Sequence, residues 1–155
     1  MITPVMTLHN LAELLTDLPR DAAVLGIDYG RRRIGVALSD AHRGIAGPYA
    51  VLRRGRLAVN AAQILAIAER EQVAALVVGL PLETDGTAGR AAQAARDWAH
   101  ALAAATGLPV AMADERYSTS TVRERAAEQG RGLREADAHA AAEFLSAALM
   151  EVGRG

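Results

Sequence analysis

Three short apolar segments follow one another closely in the first third of the chain. Residues 24–27, 34–38 and 45–52 have the composition of strands and are separated only by turns. Gly47 and Pro48 restrict the third segment to a sheet edge or to a start after residue 48, because proline cannot donate a ladder hydrogen bond. Strands connected by such short turns predict a three-stranded antiparallel meander.

Helical and strand-like segments alternate in the rest of the chain. Apolar strands are predicted at residues 74–78 and 110–113. Helical spacing is present at residues 57–71, 87–106, 119–129 and 134–151. A meander followed by this alternation predicts an α/β fold, with a mixed five-stranded sheet and helices on its faces.

The composition is that of one ordinary domain. The chain has 155 residues, of which 51% are hydrophobic, enough for a core. No repeat or low-complexity linker is visible, so we expect a single domain over residues 1–155. A membrane-spanning run, a signal-peptide pattern and cysteine are all absent from the sequence, which predicts a cytoplasmic protein without thiol chemistry or a membrane partner.

The first residues predict one further helix. Residues 7–18 keep a leucine-rich apolar face, with Thr7 as a candidate cap and Pro19 as the stop.

All basic residues of the chain are arginine. The net charge is -1, so any nucleic acid must bind to a local basic patch. Arginine suits bidentate phosphate contacts, although genomic base composition explains its general use more simply. Local clusters occur at residues 31–33, at Arg53, Arg54 and Arg56, and within residues 123–134.

Three acidic residues lie far apart at the ends of predicted elements. Asp28 follows the first strand, Glu115 follows the strand at residues 110–113, and Asp137 falls near the start of the last helix. We expect each of them to be offered to solvent at these places. Three converging carboxylates are the usual oxygen cage for Mg²⁺ or Mn²⁺, so metal-dependent phosphate chemistry is the leading hypothesis.

Each acid also has an ordinary structural interpretation. Asp28 suits a hairpin turn, and Asp137 could stabilise a helix N-terminus by about 0.3–1 kcal/mol. Asp114 or Glu115 could pair with Arg116 at a solvated strand end. Neighbouring strand residues point to opposite faces, so only one of these two acids can readily join Asp28. The local sequence leaves these interpretations open.

The segment GLPLETDGT, residues 79–87, joins a strand to a helix. Thr84 or Thr87 could cap the helix, and free N–H groups at a helix start attract phosphate. An ordinary strand-to-helix loop explains the segment more simply, and no G-K-[ST] follows that would make it a P-loop. Aromatic residues are few, and Trp98 is expected to pack in the core.

Four segments resemble, in order and spacing, the signature blocks of the YqgF family. They read LGIDYGRRRIGVALSD, ALVVGLPLETDGT, ADERYSTSTV and EADAHAAAEFL, and the match runs over residues 25–149. Members of that family are described as Holliday junction resolvases and as pre-16S ribosomal RNA nucleases. The resemblance implies an RNase H-like fold and leaves residues 1–20 as an N-terminal helical extension.

The resemblance also implies site residues. It assigns Asp28, Glu115 and Asp137 as catalytic acids that bind metal, most simply two Mg²⁺ or Mn²⁺ ions. The substrate-binding residues that it implies are Gly30, Arg31, Arg32, Arg33, Gly79, Pro81 and Arg116. The sequence departs from the family pattern at Tyr29, at residues 31–33 and at Glu83, whose charge puts the phosphate-binding role of its loop in question.

The implied function is a nuclease in maturation of the 5′ end of pre-16S ribosomal RNA. Its partners would be nucleic acid, either structured RNA or branched DNA, and a ribosome or pre-ribosomal particle, with the protein acting as a monomer or a homodimer. A Holliday junction resolvase and a non-catalytic nucleic-acid-binding module are the alternatives. A phosphotransferase of the actin and sugar-kinase type needs a second domain, which 155 residues cannot hold.

Overall fold

The computed structural model describes residues 8–81, 89–114 and 133–154. Within the last of these ranges, it describes the surroundings of the side chains for residues 137–152. The predicted helix at residues 119–129 lies outside these ranges. In chain order the elements are α1 (Leu11–Asp17), β1 (Ala23–Tyr29), β2 (Arg33–Ser39), β3 (Ala46–Arg53), α2 (Leu57–Arg70), β4 (Val73–Leu80), α3 (Arg90–Thr106), β5 (Val110–Asp114) and α4 (Leu133–Arg154).

The five strands form one mixed sheet in the order β3-β2-β1-β4-β5. Strands β1, β2 and β3 pair antiparallel, whereas β4 and β5 run parallel to β1. This confirms the predicted meander followed by alternating helices and strands. Pro48 lies in the edge strand β3, opposite Ala37 of β2. The β2–β3 register shifts between Val36 and Ala37, directly beside this pair. The proline is therefore accommodated where an edge strand allows it.

Each face of the sheet carries its own core. Helices α2 and α3 cover one face, where Ile64 and Leu102 pack against Leu25 and Ile27 of the central strand. Helices α1 and α4 cover the other face, with Phe144 and Leu145 fully buried. Burying one such side chain stabilises the fold by about 1.5–3 kcal/mol. Since β1 is covered on both faces, polar atoms on it lie deep in the molecule.

The N-terminal helix begins later than predicted. Helix α1 starts at Leu11, and its cap is Asn10, whose side-chain oxygen accepts a hydrogen bond from the N–H of Glu13 at 3.2 Å. His9, which precedes the helix, forms a parallel bridge with Ala111 of β5. Its N–H donates to the carbonyl of Val110 at 2.9 Å. The predicted cap Thr7 lies outside the described residues. No helix in the described ranges has the length and hydropathy that a membrane span requires.

Candidate active site at the carboxyl end of the central strand

Asp28 lies near the end of the central strand β1 and is only 3% exposed. Val24 of the same strand belongs to the core under α1 and α4, whereas Leu25 and Ile27 belong to the opposite core. Strand side chains alternate between faces, so Asp28 lies on the face that α4 covers. The expectation that this acid is offered to solvent is therefore wrong, because a helix packs across its strand.

Gly35 brings the start of α4 directly beside Asp28. It is the partner of Asp28 in the antiparallel β1–β2 register. A Cβ at Gly35 would overlap the backbone carbonyl of Asp137, so only glycine allows the helix to approach β2 this closely. The structure thus places Asp28 and Asp137 on one face of the sheet, although they are 109 positions apart in the sequence.

Asp137 is buried as well, with 4% exposure, which contradicts the expectation of a solvent-exposed acid. It is the fifth residue of α4, beyond the first turn where a helix dipole stabilises a carboxylate. Its Oδ2 accepts a hydrogen bond of 2.7 Å from Nε of Arg33, and the two side chains form an ion pair. The helix-terminus interpretation does not account for an acid in this position.

Asp114 and Glu115 are adjacent in the sequence, and of the two only Asp114, the last residue of β5, is described by the structure. Val110 and Met112 face the core under α2 and α3, whereas Ala111 and Ala113 face the core under α4. By the same alternation Asp114 lies on the face opposite to Asp28. Glu115 lies outside the described residues, as do Arg116 and the arginines of residues 123–132. Within the described ranges no group of three or more acidic, histidine or cysteine residues is placed to hold a metal ion.

Gly79 lies on the other side of Asp28. Strand β4 pairs with β1 in parallel, with Ile27 opposite Val78, and one further step of this register brings Gly79 beside Asp28. Asp28 therefore has a glycine next to it on both neighbouring strands. Pro81 follows at the same end of β4, and the loop at residues 82–88 lies outside the described part of the chain.

The β1–β2 turn, residues 30–32, is compact. The N–H of Gly30 donates to the carbonyl of Arg33 at 3.0 Å, and a Cβ at Gly30 would lie 2.5 Å from that same oxygen. Arg31 and Arg32 are exposed, and neither side chain makes a hydrogen bond or an ion pair with the described residues. The turn thus presents two arginines to solvent, three and four residues after Asp28.

The second arginine cluster joins the first at this end of the sheet. Arg53 is opposite Arg33 in the β2–β3 register, and the N–H of Arg54 donates to the carbonyl of Arg32 at 2.9 Å. The guanidinium of Arg54 also lies 4.1 Å from the ring centre of Tyr29. Sequence reasoning missed this contact. Its only sequence signal is the position of Arg54 directly after a strand that must pair with β2.

Asp40 lies at the opposite end of β2 from Asp28. Oδ1 of Asp40 accepts hydrogen bonds from the N–H groups of Gly44 at 2.8 Å and Ile45 at 3.2 Å. These backbone donors, first that of Ile45, hold the pKa of Asp40 below its ordinary value of 3.8. Asp40 therefore shapes the β2–β3 turn and is remote from Asp28.

Relatives of known sequence match most of the chain. A family model described as "RuvX: Holliday junction resolvase" matches residues 22–151. A protein of Acidiphilium cryptum named "Putative pre-16S rRNA nuclease" is 58% identical over 117 residues, which are 76% of this chain and 74% of that protein. A protein of Gluconacetobacter diazotrophicus with the same name is 53% identical over 117 residues, 76% of each chain.

Solved structures establish the fold. RuvC of T. thermophilus in complex with a Holliday junction substrate matches with a TM-score of 0.53 and 18% identity, over 85% of this chain and 96% of that chain. A second Thermus thermophilus RuvC structure matches with a TM-score of 0.50 at the same identity, over 84% of this chain and 96% of that one. The predicted RNase H-like architecture is thus confirmed, in its RuvC-like form. The chain belongs to the RuvX family, which is also the family that the four sequence motifs indicate under the name YqgF.

Proposed function

We propose that this chain is a metal-dependent nuclease that hydrolyses phosphodiester bonds in maturation of the 5′ end of pre-16S ribosomal RNA. The observation that carries the reaction class is the pair of buried carboxylates, Asp28 and Asp137, on one sheet face beside an exposed arginine turn. The names of relatives that are more than half identical support RNA as the substrate.

The metal ligands in this proposal are Asp28, Asp137 and Glu115. Carboxylate oxygens are what Mg²⁺ and Mn²⁺ prefer, and two carboxylates with 3% and 4% exposure on one face need positive charge nearby. Gly35 lets the backbone of Asp137 approach Asp28, and Gly79 adds no side chain on the other neighbouring strand. When bound, a pair of such ions supplies activation of water and charge stabilisation at the leaving oxygen.

The residues of the chain itself bind and orient the substrate. Arg31 and Arg32 contact phosphates, since both are exposed and neither is engaged by another described residue. Arg33 holds the Asp137 carboxylate in place through its Nε and leaves its terminal amino groups for a phosphate. We assign Arg116 to phosphate binding too, and Gly79 and Pro81 to the strand end over which the substrate backbone passes.

The partner is structured RNA, read mainly through its backbone, within a pre-ribosomal particle in the cytoplasm. A single copy of the chain is sufficient to cut one RNA strand. A Holliday junction resolvase is the second candidate, because the matching family model carries that description. Symmetric cutting of a junction requires a two-fold dimer, which makes the two candidates separable.

A cleavage assay with Mg²⁺ or Mn²⁺ tests the proposal. The substrates are a 5′-extended 16S precursor fragment and a four-way DNA junction, and the proteins are wild type, Asp28→Asn and Asp114→Asn. Asp114 is the matched control, an acid at the neighbouring end of β5 that lies on the opposite face. We expect metal-dependent cutting of the RNA that is lost only in Asp28→Asn.

Other outcomes decide between the candidates. Symmetric cutting of the junction alone would replace the maturation nuclease by a resolvase. Binding of RNA without any cutting, with metal and with intact pre-ribosomal particles present, would leave a non-catalytic binding module.

A further inference from the structure

The exposed side chain of Arg54 contacts the β1–β2 turn and forms no ion pair with a described acid. Its Nη1 donates to the carbonyl of Gly30 at 3.2 Å and lies 3.5 Å from the carbonyl of Arg31. Its backbone N–H donates to the carbonyl of Arg32 at 2.9 Å. Arg54, the residue that follows β3, therefore contacts the carbonyls of all three residues of the turn.

The flat face of the same guanidinium rests on an aromatic stack. Its carbon lies 4.1 Å from the ring centre of Tyr29, and Tyr29 stacks on Trp98 with ring centres 4.3 Å apart and planes 14° from parallel. Trp98 is 8% exposed and belongs to α3. The turn is thus connected to a helix of the core through Arg54 and two rings.

A guanidinium suits this position better than an ammonium. Its planar edge donates to carbonyls while its face stacks on a ring, whereas a lysine ammonium is a compact charge without a face. The donors of Arg54 point at the turn, in contrast to those of Arg31 and Arg32, which make no contact with the described residues. Arg54 is exposed as well, but its donors are used within the protein, unlike those of Arg31 and Arg32.

We propose that Arg54 is a positioning residue that fixes the backbone of residues 30–32, so that Arg31 and Arg32 meet the phosphates of the substrate in a defined geometry. This inference rests on the proposed nuclease function and extends it to a residue outside the four sequence motifs. The Arg33–Asp137 ion pair holds the hairpin on the α4 face, and Arg54 holds it on the other face. The turn is thereby restrained from both sides.

A double-mutant cycle on RNA affinity tests the inference. The proteins are wild type, Arg54→Ala, the pair Arg31→Ala with Arg32→Ala, and the combination of all three. If Arg54 acts through the turn, Arg54→Ala weakens RNA binding about tenfold in a chain that keeps Arg31 and Arg32. In a chain that lacks both turn arginines, the same substitution has no further effect. In cleavage, Arg54→Ala raises KM and leaves kcat near its wild-type value.

Two further variants separate positioning from charge. Arg54→Lys keeps the charge and is expected to bind RNA as weakly as Arg54→Ala. Arg56→Ala removes one charge two residues away without removing a cap hydrogen bond of α2, so it is the control for loss of charge alone and is expected to weaken RNA binding less than Arg54→Ala. Trp98 is the only tryptophan, so its fluorescence in the absence of nucleic acid reports the stack directly. We expect a changed emission in Arg54→Ala and none in Arg56→Ala.

The outcomes distinguish this inference from the proposed function. Additive losses in the cycle, or full rescue by Arg54→Lys, would mean that Arg54 contacts phosphate itself, which overturns the inference and leaves the nuclease intact. Unchanged RNA affinity and unchanged Trp98 emission in Arg54→Ala would overturn it too. A wild-type protein that binds neither RNA nor DNA would overturn the proposed function and this inference together.

Discussion

Arg33 donates a hydrogen bond of 2.7 Å from its Nε to Oδ2 of Asp137 and so connects the start of β2 to α4. The Asp137 side chain is 6% exposed, whereas that of Arg33 is 36% exposed. A carboxylate buried to this extent needs a nearby cation, and Arg33 supplies it within the described residues. A divalent ion bound at Asp137 would compete with Arg33 for the same carboxylate.

We predict that Arg33→Gln lowers the free energy of unfolding by about 1–2 kcal/mol without metal, less than for a fully buried pair because Arg33 is partly exposed. Added Mn²⁺ should restore more stability to the variant than to wild type, since the ion then provides the missing charge. Urea unfolding with and without Mn²⁺ measures both effects. Arg53→Gln, at the opposite register position, is the control. An equal response of both proteins to Mn²⁺ would contradict competition at Asp137.

Asp28→Asn should lower cleavage on the order of 100-fold or more while leaving the fold and RNA affinity close to wild type. The reason is that the amide keeps the shape of the buried side chain but is a weak ligand for Mg²⁺. Single-turnover cleavage, RNA binding in Ca²⁺ and circular dichroism separate the three effects. Full activity in Asp28→Asn would exclude the proposed mechanism.

Gly35→Ala should destabilise the protein by about 1–3 kcal/mol, because the added methyl group overlaps the carbonyl of Asp137 and backbone must move. The same movement displaces Asp137 from Asp28, so cleavage should fall even at temperatures where the variant is folded. Gly47→Ala is the matched control, with no atom within 4 Å of the added methyl group. Equal urea midpoints for the two variants would show that α4 does not depend on this contact.

The contribution of Asp40 to stability should depend on pH. Its pKa is lowered in the folded protein by the backbone N–H groups of Ile45 and Gly44, so the folded state binds its proton less readily than the unfolded chain. The stabilisation is therefore complete above the unfolded value near 3.8 and is lost as pH falls through the lower folded value. Urea unfolding of wild type and Asp40→Asn across this range should show their difference shrinking in acid. A difference that is constant with pH would contradict this assignment.

The sequence by itself determined the sheet and most of its helices. Apolar runs with period two or with helical spacing fix which segments are strands or helices, and the predicted strand at residues 34–38 is extended by one residue at each end in β2. The predicted start of α1 was wrong, because His9 pairs with β5 and the helix begins only at Leu11. Local sequence does not reveal this pairing partner. The motifs identified Asp28 and Asp137, but not that both are buried.

Only the tertiary structure decided how these residues meet. Three contacts join segments that are distant in the sequence. They are the approach of Asp137 to Gly35, the Arg33–Asp137 ion pair and the hydrogen bonds of Arg54 to residues 30–32. Periodicity assigns a residue to a face of its own strand or helix, but it does not say which element covers that face. That choice follows from burying apolar surface over the whole chain at once, here by packing α4 across β1 and β2 with its acid beside the central strand.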